Sequence, residues 1–562
     1  MRSPRTSSLS PKQTAIMAEY KLQVTAAMKV FEEDQHLLID HRNKEMTARK
    51  NLYQWKIMAE GLPHICSFSD VSDLPAEVCA VELKLVEQSS NLAEKWENIE
   101  DLREIFWYKT TISDYVKEHW KDDDFYGFQF LNGGNPNVIA RCSELPPNFP
   151  VTDGMVKPFL EKGSSLEQEM EKGNVFLYDQ KKMDGIAARV YDGERLHVAA
   201  GLCLFYLNSE NKLMPIAVQL HQQPSEENPI FLPSDSETDW LLAKMFIKNA
   251  DAIDHGAVHH FMNTHFLIEV FCVAALRCFP EIHPIYKLLF PHFRDTLHTN
   301  IVGRQTVLGP NGPLSISSLG YDGLTELMRR SLSDLTYSAL CLPENITARG
   351  LQSIPNFYYR DDGLKLWTII NSFVKAVVEY HYGSDCEVLK DSELQDWISE
   401  IFTHGFLGNK DSGFPAGFNT VEELIKFITM VIFTATAQHA AVNNGQFDYY
   451  YWVLNGSLLL HGRPPNTKGR SSMTTILETL PNVGETAMFA VTGWVLSEKD
   501  PDMVPLGSYP EERFDELVPK QMIEQFKEEL SILSEQITTR NSQLEVPYLY
   551  LDPPLIQNSI TI

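Results

Sequence analysis

The stretch IKFITMVIFTATAQHAAV, residues 425–442, is apolar almost all the way round and carries a single charged side chain, Lys426. A helix without a polar face has no stable place on a surface, so this one must lie inside a large core. It nevertheless holds Gln438 and His439 near its end, with Asn443 one turn further on. His439 and Asn443 are i,i+4 and share a face. A buried polar pair is costly unless it bonds to its neighbours or faces a metal.

Enough chain is present to build such a core: 562 residues, 43% of them hydrophobic. Net charge is −27, from 75 acidic and 48 basic residues, a field that repels phosphate backbones and gives no attraction to anionic membranes. Nucleic acid is therefore not an expected partner, and weak or no direct membrane targeting is expected. Eight cysteines are scattered without a CxxC pair and read as reduced, mostly buried thiols. The N-terminus MRSPRTSSLSPKQ has no apolar run behind it, and no segment gives about 18 uninterrupted apolar residues. A cytoplasmic location is the expectation.

Along the chain, residues 1–17 read as a disordered tail, and residues 18–50 mix apolar and charged side chains at helical spacing. One domain is expected from about residue 49 onward. Runs between 186 and 222 (ARVYDG, LHVAAGLCLFYL, LMPIAVQLHQ) read as a small β-rich subregion. After Asp239 the pattern is helical over 240–279, 364–382, 395–406 and 421–455. No 30-residue strand–helix alternation is found, so the fold class is mainly α, without a doubly wound sheet. GxGxxG after a strand, GxxxxGK[ST], GxSxG and HExxH are all lacking, so dinucleotide, nucleoside-triphosphate, serine-hydrolase and zincin chemistry lose their usual support.

A second apolar helix, VHHFMNTHFLIEVFCVAALRCFPEIHP (258–284), carries His260 and His265 five positions apart. On an ideal α-helix that spacing separates two side chains by about 140°. A π-type turn, with its i→i+5 bond, brings them back toward one face. The bland alternative, hydrogen-bonded core histidines, stays open on this observation alone. The C-terminal VPYLYLDPPLIQNSITI is apolar, where chain ends are usually polar and frayed. Tucked inward, it would carry an α-carboxylate that needs a cation.

Taken together, these segments resemble the animal lipoxygenases. The resemblance also covers RKNLYQWKIMAEGLP, FYGFQFLNGGNPNVI, FYYRDDGLKLW, GFP and PPLIQNSITI, in order, from about residue 49 to the last residue. It implies a large helical catalytic domain in which two long central helices carry the ligands of one non-haem iron. The ligands would be His260, His265, His439, Asn443 and the main-chain carboxylate of Ile562. Three neutral imidazoles and a carboxylate suit an iron that changes oxidation state while one position stays open. The implied reaction takes hydrogen from a bis-allylic carbon of a polyunsaturated fatty acid and adds dioxygen to give a hydroperoxide. A fatty-acid hydroperoxide isomerase on the same scaffold is the alternative, and a non-catalytic lipid-binding relative is the third reading. No haem, nucleotide or calcium is expected.

Departures from the family pattern bear on the pocket. Gly256 stands where many relatives carry Gln or Glu, which leaves a hydrogen bond near the iron missing or supplied by His255 or His259. Phe261 replaces a usual Leu and would narrow the channel, and Thr299 replaces a common Ile. Alignment through SISSLGYDG puts Ile316 near a position that influences stereochemistry. Ala252, on the pocket-depth helix, suggests a deep cavity. The N-terminal β-sandwich that binds calcium and lipid surfaces in most animal relatives is not expected, since only about 48 residues precede the catalytic match.

Overall fold

The computed structural model describes residues 35–78, 95–104, 108–498 and 503–562; the expected N-terminal tail, residues 1–17, lies outside these. Of the helical stretch expected over residues 18–50, residues 18–34 also lie outside the described ones, and the rest falls in α1, Gln35–Leu52, which runs without a break across residue 49. Charge holds it to the body. Arg49 pairs with Glu281 at 2.9 Å and lies over the Tyr286 ring, and Arg42 Nε donates to Glu393 at 3.1 Å.

Four antiparallel strands form the β-rich subregion in the order of the chain: β1 Ile139–Arg141, β2 Val175–Asp179, β3 Leu202–Leu207 and β4 Leu213–Gln219. Both faces of β3 and β4 are covered, which is why LCLFYL reads as a continuous apolar run without alternation. The helix Asp123–Asn132 lies against β4 so closely that a Cβ on Gly127 would sit 1.7 Å from the Leu213 carbonyl oxygen. Beneath the other face is a separate cluster that includes Phe149, Val156 and Leu166. The sheet thus begins earlier than the 186–222 window. β1 and β2 have three and five residues, too few to leave a periodic signature.

The helices that frame the core are α2 (Glu237–Cys278), α3 (Thr296–Thr306), α4 (Gly320–Asp334), α5 (Tyr358–His381), α6 (Ser392–Gly405), α7 (residues 421–443), α8 (Val483–Ser497) and α9 (Leu517–Asn541). Local chemistry sets the ends of the two central ones. The Ser236 hydroxyl caps α2 by accepting from the Asp239 amide, and the helix stops at Phe279, the residue before Pro280. Thr420 caps α7 from the Glu423 amide, with Glu422 and Glu423 in the positive first turn. By length and composition both are apolar enough to cross a bilayer, yet 89% of each apolar window is buried within the protein. Their apolar surface is covered by α5 on α7 and α6 on α2, and α9 backs α5.

Candidate metal centre

His260 and His265 face one point because α2 is not α-helical where they sit. Over His255–Phe266 it is π-helical, and the Leu267 amide reaches back five residues to the Met262 carbonyl. Between the two histidines the Thr264 hydroxyl donates to the His260 carbonyl. The widening that the i,i+5 spacing demands is therefore present, and it is longer than the single turn expected. A second π segment, Thr434–Gln438, directly precedes His439 on α7. Nothing in TATAQ announces it.

The three imidazoles converge. His265 Nε2 lies 3.2 Å from His260 Nε2 and 3.3 Å from His439 Nε2. Adjacent donors on one ion, each about 2.1 Å away, stand roughly 3 Å apart, so this spacing is that of a ligand set. Burial holds His260 and His439 well below the usual histidine range and brings His265 down to about 4. All three are neutral at pH 7 and offer lone pairs. A metal is the one partner that satisfies three lone pairs aimed at one point, and imidazole donors fit iron. The main chain of Ile562 comes close enough to the His439 ring to offset part of that burial effect, so the last residue approaches the cluster.

Orientation comes from an outer network. His265 Nδ1 donates to Asn300 Oδ1 at 2.8 Å, which leaves Nε2 bare. The Asn300 amide donates in turn to the His265 carbonyl and to Glu269, both from Nδ2, at 2.8 and 2.7 Å. Glu269 is fully buried and is neutralised by Arg304 at 2.6 Å. A carboxylate inside LIEVF was the available signal for this network, and sequence reasoning did not use it. Replacing Asn300 by Leu frees the His265 ring to rotate and leaves Glu269 short of a donor. Iron affinity is expected to fall about 10–100-fold, the usual cost of losing such a partner. Unchanged affinity in a metal titration would show that the network serves packing alone.

The other expected ligand, Asn443, is one turn beyond His439. Its Nδ2 donates to the Leu496 carbonyl at 2.7 Å and its Oδ1 accepts from Gln446 at 2.8 Å, which leaves that oxygen one further lone pair. Neither residue considered as a replacement for the side chain lacking at Gly256 bonds to His260. His255 Nε2 donates to the Val442 carbonyl at 2.6 Å and so ties α2 to α7, while His259 faces Asp254 at 3.5 Å. The room at Gly256 is taken by Leu314, whose Cδ2 would be 2.8 Å from a Cβ there. Thr299 has a different use: its hydroxyl makes a long 3.5 Å bond to the Ile560 carbonyl in the C-terminal tail.

An apolar cavity adjoins the cluster, with His260 in its wall. Ala252 and Phe261 line it, together with Leu314, Leu458, Phe489 and Leu496. The Phe261 ring stacks on His265 at 5.0 Å. Ile316 is not among the lining residues. The loop enters the cavity through Leu314 instead, because the bare Gly256 backbone accepts its isobutyl group. Helix α8 was also missed as a wall element.

Among the described residues a second trio with metal-ligand character exists, His283, Asp391 and Glu393. It is closed to metal. His283 Nδ1 accepts the Ile285 amide, so Nε2 carries the proton and donates to Asp391. Arg42 already neutralises Glu393.

The lipoxygenase family model matches residues 51–547. Mouse hydroperoxide isomerase ALOXE3 is 40% identical over 600 residues, covering 96% of this chain and 84% of its own. Rat polyunsaturated fatty acid lipoxygenase ALOX15B is 42% identical over 555 residues, covering 95% and 82%. Among solved structures, a calcium-dependent 11R-lipoxygenase superposes with a TM-score of 0.89 at 33% identity, covering 93% of this chain and 80% of that one. Coral 8R-lipoxygenase gives 0.87 at 32%, covering 94% and 82%. With a matching family model over most of its length, relatives of this identity and the convergent histidines in place, the chain belongs to the lipoxygenase family.

Proposed function

We propose that this chain is a non-haem iron lipoxygenase that oxygenates a polyunsaturated fatty acid to a hydroperoxide. The observation that carries the reading is the convergence of three neutral Nε2 atoms beside an apolar cavity, with one of the three histidines in the cavity wall. His260, His265 and His439, with the Ile562 carboxylate and Asn443, would hold the iron, which when bound would supply one-electron chemistry at a bis-allylic carbon. The protein's own part is placement. The cavity beside His260 is lined mostly by apolar side chains, a wall that suits an acyl chain. Ala252 leaves space on α2 for the length of that chain. Phe261 and Leu314 confine it beside His260.

A second reading is favoured by one observation. The Phe261 ring on His265 and the Leu314 side chain over Gly256 take up room in the cavity beside His260, where they would hinder dioxygen. A site short of dioxygen would instead rearrange a fatty-acid hydroperoxide, as the name of the mouse relative says of that protein.

One experiment with two arms separates the readings. Iron-loaded protein is given a polyunsaturated fatty acid in air, with oxygen uptake and conjugated-diene absorbance recorded. Separately it is given the corresponding hydroperoxide without oxygen. Oxygen uptake with diene formation is the expected result. Loss of hydroperoxide without uptake in the first arm reverses the order of the two readings. Inertness in both arms with iron bound would leave only a lipid-binding role.

A further inference from the structure

The C-terminal tail reaches the histidine cluster along a defined track. The Leu506 amide donates to the Ile556 carbonyl and the Asn558 amide to the Val504 carbonyl, each at 2.8 Å, so the tail pairs with the segment at 504–506. Beyond Asn558 that pairing ends. At this point the fully buried His292 donates from Nδ1 to the Asn558 carbonyl at 2.8 Å. A carbonyl can only accept, so Nδ1 carries the proton and Nε2 accepts from the Tyr509 hydroxyl at 3.2 Å. The Asn558 side chain adds a 3.2 Å bond to the Ser508 carbonyl and 3.4 Å bonds to Pro291 and Gly507. Ile562 lies four positions beyond this anchor, a reach of about 13 Å when extended. Along it the Ser559 hydroxyl bonds to Asp295 at 3.0 Å, Thr299 makes its long contact with the Ile560 carbonyl, Thr561 bonds back to Gln557, and the main chain of Ile562 comes near the His439 ring.

We propose that His292, oriented by Tyr509, is a positioning residue that fixes the tail at Asn558 and thereby sets where the main chain of Ile562 lies. The imidazole is the right group for the task, since it is rigid and links two chain segments by a donor on one side and an acceptor on the other. Removing the ring leaves the Asn558 carbonyl without a donor in a buried place and frees the last turn of chain to slide. The inference rests on the reading that Ile562 belongs to the metal site, yet its geometry involves no metal.

The test therefore starts from the full chain without iron. Carboxypeptidase is added and release of Ile562 is followed by mass spectrometry. His292→Phe is expected to release it about tenfold faster than wild type or more, given the donor lost. His292→Asn, whose amide can supply the Nδ1 hydrogen, is expected to restore slow release; a merely space-filling role would not be rescued by the smaller side chain. Release from His292→Phe at the wild-type rate overturns the proposal. Should that variant unfold, Tyr509→Phe carries the test: it removes one hydroxyl, and release unchanged there overturns the proposal equally. Iron titration of the same variants separates the two claims. Faster release with weaker iron binding supports both. Faster release with unchanged iron binding supports the anchor and removes Ile562 from the metal site.

Discussion

Replacing His439 by Ala is expected to abolish iron binding and turnover while the metal-free protein stays folded. His439 is the one imidazole of the cluster contributed by α7, and it stands 3.3 Å from His265 Nε2. Without it the remaining histidine donors both come from α2, on one side of the ion. Two imidazoles from one helix hold a divalent ion far less well than three that surround it. Among the described residues no ion pair depends on the ring, which faces the neighbouring histidine and lies near the chain end. The measurement is metal content by mass spectrometry, alongside near-ultraviolet circular dichroism of the metal-free forms. Stoichiometric zinc in the wild-type protein, or full iron retention in the variant, would overturn the ligand assignment.

Adding a single Gly after Ile562 is expected to act nearly as severely, though it removes no side chain. It converts the carboxylate of residue 562 into an amide and moves the negative charge one residue away from His439. The neutral histidines then face the metal without an anion, and iron affinity should fall by more than the ~10–100-fold that loss of an outer partner costs. Ile562→Val is the control. It keeps the carboxylate and loses one methylene, at a cost of about 0.5–1.5 kcal/mol for a fully buried site and less for this half-buried one. Turnover should largely survive. Iron binding that survives the added Gly would leave a three-histidine centre completed by Asn443 and solvent.

Some of this was legible in the sequence and some was not, for physical reasons. His260 and His265 were legible as ligands through the family resemblance, and their five-residue spacing added that the helix must widen if both hold one ion. The buried character of 425–442 was legible because no polar face exists there. The second widening, at Thr434–Gln438, left no trace, since a π turn has no residue preference comparable to a cap or a proline. Strands β1 and β2 were too short to be seen. The cavity wall was misread at Ile316 because a glycine on another element, Gly256, decides which loop residue enters. Glu269 and Asn300 are 31 residues apart, and only tertiary structure brings them together behind His265.

The two helices that supply the imidazoles are joined across 174 residues of chain, which ties metal capture to the last stages of folding. Contacts of such separation are formed late, because a long loop must close before they return any stabilisation. A collapsed intermediate in which α2 and α7 have formed but not docked presents at most two donors. An ion that binds only the docked state adds its binding free energy to that state alone, so metal raises the unfolding midpoint in proportion to the logarithm of its free concentration. Chelation would then weaken the docking of the two central helices before it weakens either helix by itself. Release of the ion in such a protein reports the opening of the whole core.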